Sequence, residues 1–216
     1  MVDDSPEIRR LVGRALAQDG FEVEQAGDGE AAVQAARARP PDVVVLDLGL
    51  PRMDGIEVCR RLREFSDAYV IMLTGRASEI DSLIGLAVGA DDYVVKPASP
   101  RVIVARARAM LRRPRGDPAP EGVRRIGSLE VDVAAREVRV DGEPVGLTRM
   151  EFDILEMLSA SPHAVIARAA LLDRVWGGEF EGDDHRIDVH VSNLRRKIGS
   201  GYVRTVRGVG YRLVEE

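Results

Sequence analysis

A chain of 216 residues has room for one large domain or two small ones. With 45% hydrophobic and 31% charged residues it has the balance of a soluble globular protein, and no apolar run approaches the ~20 residues of a membrane span. The net charge of −5 does not advertise nucleic-acid binding by the chain as a whole, and the one cysteine, Cys59, excludes an internal disulfide. The opening residues carry no secretory-signal pattern, and the lone cysteine suits a reducing cytoplasm.

Met1-Val2 is followed by Asp3-Asp4, and Ser5-Pro6 reads as a cap with proline at the first helical position. Ile8, Leu11, Val12, Ala15 and Leu16 then share one helical face, and Gly20 ends that helix. Phe21–Gln25 reads as a short strand, and a helix follows over about 29–38, stopped by Pro40-Pro41. Val43–Leu46 is an unbroken apolar run, the pattern of a strand buried on both faces, and Asp47 ends it before Gly49 and Pro51. Asp54-Gly55 starts a helix to about Phe65. Tyr69–Leu73 is a strand ending at Thr74-Gly75, and a helix is expected over about 79–88. Tyr93–Val95 is a strand ending at Lys96-Pro97, and Ser99-Pro100 caps a helix reaching about Arg112. This alternation predicts a doubly wound parallel sheet.

Asp3-Asp4, Asp47, Thr74 and Lys96 all stand at strand ends, so a parallel sheet brings them to one edge, where open α/β sheets place their ligands. Three carboxylates together repel unless a cation sits among them, and all-oxygen ligands favour Mg²⁺. A lysine at the rim balances added negative charge, and a hydroxyl donates to it.

The segments VDDSPEIR, VVVLDLGLPRMDGIEV, VIMLTGR, GADDYVVKP and ARARAMLRR resemble the receiver domain of two-component response regulators, which has a flavodoxin-like fold, over residues 1–113. The resemblance implies that Asp47 accepts a phosphoryl group from a sensor histidine kinase. It also implies that Asp4, Asp47 and the Gly49 carbonyl hold Mg²⁺, with Asp3 acting through water. Thr74 and Lys96 would contact the phosphoryl oxygens, Thr74 and Tyr93 would form the switch pair, and Asp91 and Asp92 would face Arg106 and Arg113 across a homodimer formed on phosphorylation. Three features depart from the family pattern. Only Met1-Val2 precede the acidic pair, where receivers carry four or five apolar residues, implying a shortened central strand or a start further upstream. Ala98 stands where Phe is usual. Ser82 and Val102 replace both ends of one intersubunit ion pair.

Residues 114–122 are Pro/Gly-rich and read as a linker. Beyond them Leu129, Val131 and Val133, then Val138 and Val140, alternate with polar residues, and Asp141-Gly142 marks a hairpin turn. Thr148 and Glu151 form a capping-box pattern opening a helix with Phe152, Leu155 and Leu158 on its core face. Helices over 169–176 and 185–198 follow, then a hairpin with strands near 202–206 and 210–214. In the last helix Ile187, Val191, Leu194 and Ile198 make the buried stripe. Val189, Ser192, Asn193 and Arg196 are expected to face outward, flanked by Arg195 and Lys197. Residues 183–212 carry seven Arg or Lys against three Asp, whereas residues 123–216 carry 14 basic against 16 acidic groups. The basicity is thus concentrated on this helix and hairpin, as a major-groove reader requires.

LTRMEFDILEML, LLDRVWG, RIDVHVSNLRRKIG and TVRGVGYRL resemble the winged-helix domain of the OmpR/PhoB class over 123–216. The resemblance implies an α+β winged helix-turn-helix that binds double-stranded DNA as tandem direct repeats, with Arg207 at the wing tip. RNA polymerase is an expected partner. The turn Gly199-Ser200-Gly201 is shorter than usual in that class. An aspartyl-phosphate hydrolase also uses an Asp after a buried strand, but this chain spends its second half on DNA recognition rather than on a substrate lid. The reading is a cytoplasmic, phosphorylation-controlled transcription regulator, not a turnover enzyme.

Overall fold

Short polar side chains open the helices. Ser5 caps α1 (Pro6–Gln18), Asp28 accepts the Ala31 N–H at 2.9 Å to open α2 (Gly29–Ala38), and Asp54 accepts the Glu57 N–H at 2.8 Å to open α3 (Gly55–Arg63). The computed structural model describes residues 1–75, 85–111, 122–177 and 185–215. Two units emerge, Met1–Arg112 and Arg113–Glu216.

In the first unit β1 (Val43–Asp47), β2 (Tyr69–Thr74) and β3 (Asp92–Val95) form a parallel sheet in that order. The register sets Val43 beside Tyr69, Asp47 beside Leu73, and Thr74 beside Val95. Every residue of β2 is buried, as the unbroken apolar run requires of a strand covered on both faces. α1 packs beside α4 (Pro100–Leu111), where Arg108 donates to Asp19 at 2.6 Å, and α2 packs beside α3. Cys59 on α3 is fully buried, and that burial pushes its thiol up to about 11. Most of the helix expected over 79–88 lies outside the described residues, although residues 85–87 are helical.

Two expectations change. Phe21–Gln25 is not a strand, and the segment's one bridge joins Ala26 to Val2. A strand needs a ladder of bonds along its length, and in this segment only Ala26 is bridged. Leu11 is 59% exposed, so the buried face of α1 centres on Val12, Gly13 and Leu16 instead.

The second unit starts with an antiparallel sheet of β4 (Val123–Ile126), β5 (Leu129–Asp132), β6 (Glu137–Val140) and β7 (Glu143–Pro144). Asp141 and Gly142 both have positive φ, 53° and 82°, as the expected tight turn demands. The capping box forms at α5 (Arg149–Ala160): Glu151 N–H donates to Thr148 Oγ1 at 3.2 Å, and Thr148 N–H to Glu151 Oε2 at 2.8 Å. α5, α6 (Arg168–Trp176) and α7 (His185–Ile198) pack on one another through Leu155, Leu158, Leu171, Val191 and Leu194, with Trp176 buried at the end of α6. β8 (Ile166–Ala167), β10 (Gly210–Leu213) and β9 (Val203–Val206) complete the unit as a small antiparallel sheet.

Candidate functional site

The parallel register does what the strand-end polar residues require of it. Asp47, Thr74 and Lys96 end or follow neighbouring strands, and Asp3-Asp4 follows the bridge from Val2 to Leu46. Carboxylate oxygens of Asp3, Asp4 and Asp47 lie within 4.8 Å of one another. Asp3 is fully buried, Asp47 nearly so, and Asp4 is exposed. Lys96 Nζ donates to Asp3 Oδ2 and Asp47 Oδ1, both at 2.8 Å. Burial opposes the charge on Lys96, but its bonds to Asp3 and Asp47 outweigh that and hold its pKa above the ordinary lysine value. Ser5 N–H donates to Asp3 Oδ1 at 2.9 Å. An all-oxygen set of this kind fits a hard cation such as Mg²⁺.

Two glycines border Asp47. A Cβ on Gly55 would stand 2.4 Å from the Asp47 carbonyl oxygen, so α3 starts directly beneath the strand end. Gly49 is exposed, and even its absent Cβ would lie 3.5 Å from Asp47 Oδ2, leaving open the approach to that oxygen. Thr74 is buried at the same sheet edge, and Tyr93 is half-buried in β3. Sequence reading missed Arg9, whose Nη1 donates to the Asp3 and Asp4 carbonyls at 2.7 and 3.1 Å. No spacing rule signals a side chain that reaches back to backbone.

The charges assigned to a dimer contact are engaged within one chain. Asp91 is bound by Arg63 at 2.6 Å and Asp92 by Arg106 at 2.9 Å, with both carboxylates fully buried. Arg113 lies outside the described residues.

On α7 the outward face is narrower than its sequence suggests. Ser192 and Arg196 are exposed and Val189 is half-buried beside them. Asn193 is only 5% exposed, with its Oδ1 accepting from Arg196 Nη2 at 3.0 Å, so its expected outward position is overturned. The apolar stripe was too narrow a guide, because the buried side of α7 also takes in polar His190 and Asn193. Lys197 donates to Glu151 Oε2 at 2.6 Å. Arg195 donates to the Val203 carbonyl and Thr205 Oγ1, both at 2.8 Å, tying the helix to the hairpin. Arg207 is exposed at the hairpin tip, joined on β9 by exposed Arg204, which the sequence reading passed over.

Behind this surface Asp188 of α7 accepts from Arg168 at 3.0 Å and from the Tyr211 hydroxyl. Burial, then the bond to Asp188, pushes the Tyr211 hydroxyl up to about 12. Gly210 passes so close to β8 that a Cβ would stand 1.9 Å from the Ile166 carbonyl oxygen. Gly210→Ala should therefore cost at least about 1–3 kcal/mol and weaken DNA binding with it. Thermal melts and a DNA titration check this, and an unchanged midpoint would show that the sheet yields there.

A strand-end acid cluster with its lysine, followed in the same chain by a three-helix unit with a basic helix and hairpin, defines the class: a receiver domain joined to a winged-helix DNA-binding domain. Residues 1–108 match the family described as response regulator receiver domain, and residues 142–213 match transcriptional regulatory protein, C terminal. The chain is 45% identical to the transcriptional regulatory protein CseB of Streptomyces avermitilis, covering 98% of this chain and 95% of that protein. It is 43% identical to the DNA-binding response regulator MtrA of Mycolicibacterium smegmatis, covering 98% and 94%. The crystal structure of the response regulator DrrB, a Thermotoga maritima OmpR/PhoB homolog, aligns with a TM-score of 0.51 at 31% identity, over 99% of this chain and 96% of that one. The chain belongs to the two-component response regulators of the OmpR/PhoB class, DNA-binding regulators of transcription. Membership implies a histidine kinase and DNA as partners. Among the described residues no helix is long and apolar enough to cross a membrane.

Proposed function

We propose that Asp47 takes a phosphoryl group from a sensor histidine kinase in the cytoplasm, and that this controls promoter binding by α7 and the hairpin. The observation that carries the reading is Asp47 at a buried strand end, within 4.8 Å of two other acids and bonded to Lys96 at 2.8 Å. An Asp47 carboxylate oxygen attacks phosphorus as the bond to the kinase histidine nitrogen breaks, leaving an acyl phosphate. Phosphoryl transfer asks the protein mainly for position and charge stabilisation. Asp4 and Asp47 with the Gly49 carbonyl would hold Mg²⁺, Asp3 acting through water, and the ion would neutralise the transferring group. Lys96 and Thr74 would then hold the phosphoryl oxygens, and Tyr93 would change rotamer with Thr74. A homodimer through β3 and α4 would rest on exposed Val95 and Val102, since Asp91 and Asp92 are engaged within the chain. Direct repeats of DNA and RNA polymerase complete the expected partners.

The test is incubation of the full chain with a small phosphodonor and Mg²⁺, followed by mapping of the modified peptide. Labelling should fall on Asp47 and drop to background in Asp47→Ala. Undiminished labelling of Asp47→Ala would refute the assignment.

A further inference from the structure

Two of the three clustered carboxylates are fixed by bonds of their own. Asp3 Oδ1 accepts from the Ser5 N–H at 2.9 Å and its Oδ2 from Lys96 Nζ at 2.8 Å, while Asp47 Oδ1 takes the same Nζ at 2.8 Å. Asp4 differs. It is exposed, and its carboxylate has no hydrogen bond or ion pair among the described residues, although it lies within 4.8 Å of the other two acids. A side chain without a partner points where its backbone sends it, so the main chain at residues 3–5 sets the direction of this carboxylate. That main chain is held by Arg9, in the first turn of α1. Arg9 Nη1 donates to the Asp3 carbonyl at 2.7 Å and to the Asp4 carbonyl at 3.1 Å, and the Arg9 N–H donates to the Ser5 carbonyl at 3.1 Å. Three successive carbonyls thus end on one residue. Residue 27 makes way for the guanidinium: a Cβ on Gly27 would stand 3.2 Å from Nη1, closer than such contacts ordinarily come.

We propose that Arg9 is a positioning residue for the divalent-cation site: it holds the main chain so that the Asp4 carboxylate stays aimed into the cluster. This rests on the Mg²⁺ reading of the acids given above. A guanidinium offers no acceptor, so Arg9 is not itself a ligand and acts through the backbone. Like charges brought together repel. Once the two carbonyls are released, that repulsion turns the exposed Asp4 out to water, while Asp3 keeps both Ser5 and Lys96. The loss therefore falls on metal affinity. Its sign separates two effects of the same side chain. The positive charge of Arg9 opposes a cation, so deleting charge alone would tighten binding, whereas deleting the hold on residues 3 and 4 weakens it.

The test is calorimetric titration of the full chain with Mg²⁺ alone, no phosphodonor being present. Arg9→Met should raise the dissociation constant about tenfold or more, the usual effect of removing a group that orients a metal ligand. Arg9→Lys, which keeps the charge and can reach one carbonyl, should fall between parent and Arg9→Met, and it carries the test if Arg9→Met does not fold. Arg10→Met deletes the same charge at an exposed neighbour and should bind Mg²⁺ at least as tightly as the parent. In an Asp4→Ala background Arg9→Met should produce no further weakening. Affinity unchanged or tighter in Arg9→Met overturns the inference. So does a loss that persists without the Asp4 carboxylate, because Arg9 would then act on the fold at large. A parent chain that takes up no Mg²⁺ is a different failure: it removes the cation reading itself, and the role of Arg9 with it.

Discussion

Arg63→Ala should destabilise the first unit by about 3–5 kcal/mol, the usual cost of leaving a buried charge without its partner. Asp91 has no exposure, and its Oδ2 takes both Arg63 Nη2 at 2.6 Å and the Val70 N–H at 2.7 Å. Arg63 also donates to the carbonyls of Gly89 at 2.8 Å and Ala68 at 2.6 Å. One guanidinium thus fastens the end of α3 to the start of β2 and the turn before β3. Arg60, on the same helix but exposed and paired with Glu57, is the control, and Arg60→Ala should stay within about 0.5 kcal/mol. The measurement is hydrogen exchange of the β2 amides in the full chain. Equal protection in the two variants would show that the Asp91 carboxylate finds another partner.

Arg196→Ala and Lys197→Ala should separate two roles that the basic run of α7 merges. Arg196 is exposed, so its loss should leave the fold intact, weaken binding to specific and random DNA alike, and lower the salt slope by roughly one unit. Lys197 instead satisfies Glu151, which is 2% exposed and whose carboxylate also caps α5. Lys197→Ala should cost stability toward the lower end of about 3–5 kcal/mol, because the lysine side chain itself remains 31% exposed. Denaturant midpoints and salt-dependent DNA titrations decide. If Lys197→Ala melts like the parent chain and loses one unit of salt slope, then Lys197 is a phosphate contact after all.

Where hydrophobic pattern and chemistry agreed, the architecture was legible without coordinates. The apolar run before Asp47 could only be a strand buried on both faces, and its end had to meet the other strand ends. The Thr148 and Glu151 pair likewise announced α5 by its own hydrogen-bonding needs. What stayed hidden depended on partners distant in the chain. Phe21–Gln25 alternates like a strand, yet nothing in those residues tells how far the neighbouring segment extends. Asn193 is polar and was placed outward, but the packing of α7 encloses its polar side as well as its apolar stripe. Asp91 and Asp92 looked like surface charges because Arg63 lies 28 residues away from its partner.

The chain has one cysteine and one tryptophan, and they fall in different units. Cys59 is sealed in α3, where burial raises its thiol pKa and shuts out reagents, and Trp176 is buried at the end of α6. Each unit therefore carries its own native reporter. Thiol alkylation registers only the opening of Met1–Arg112, and indole emission only the loosening of Arg113–Glu216. Followed together through one denaturant series, the two signals reveal whether the halves melt as a single cooperative body or one after the other, with no dye, tag or cleavage of the chain.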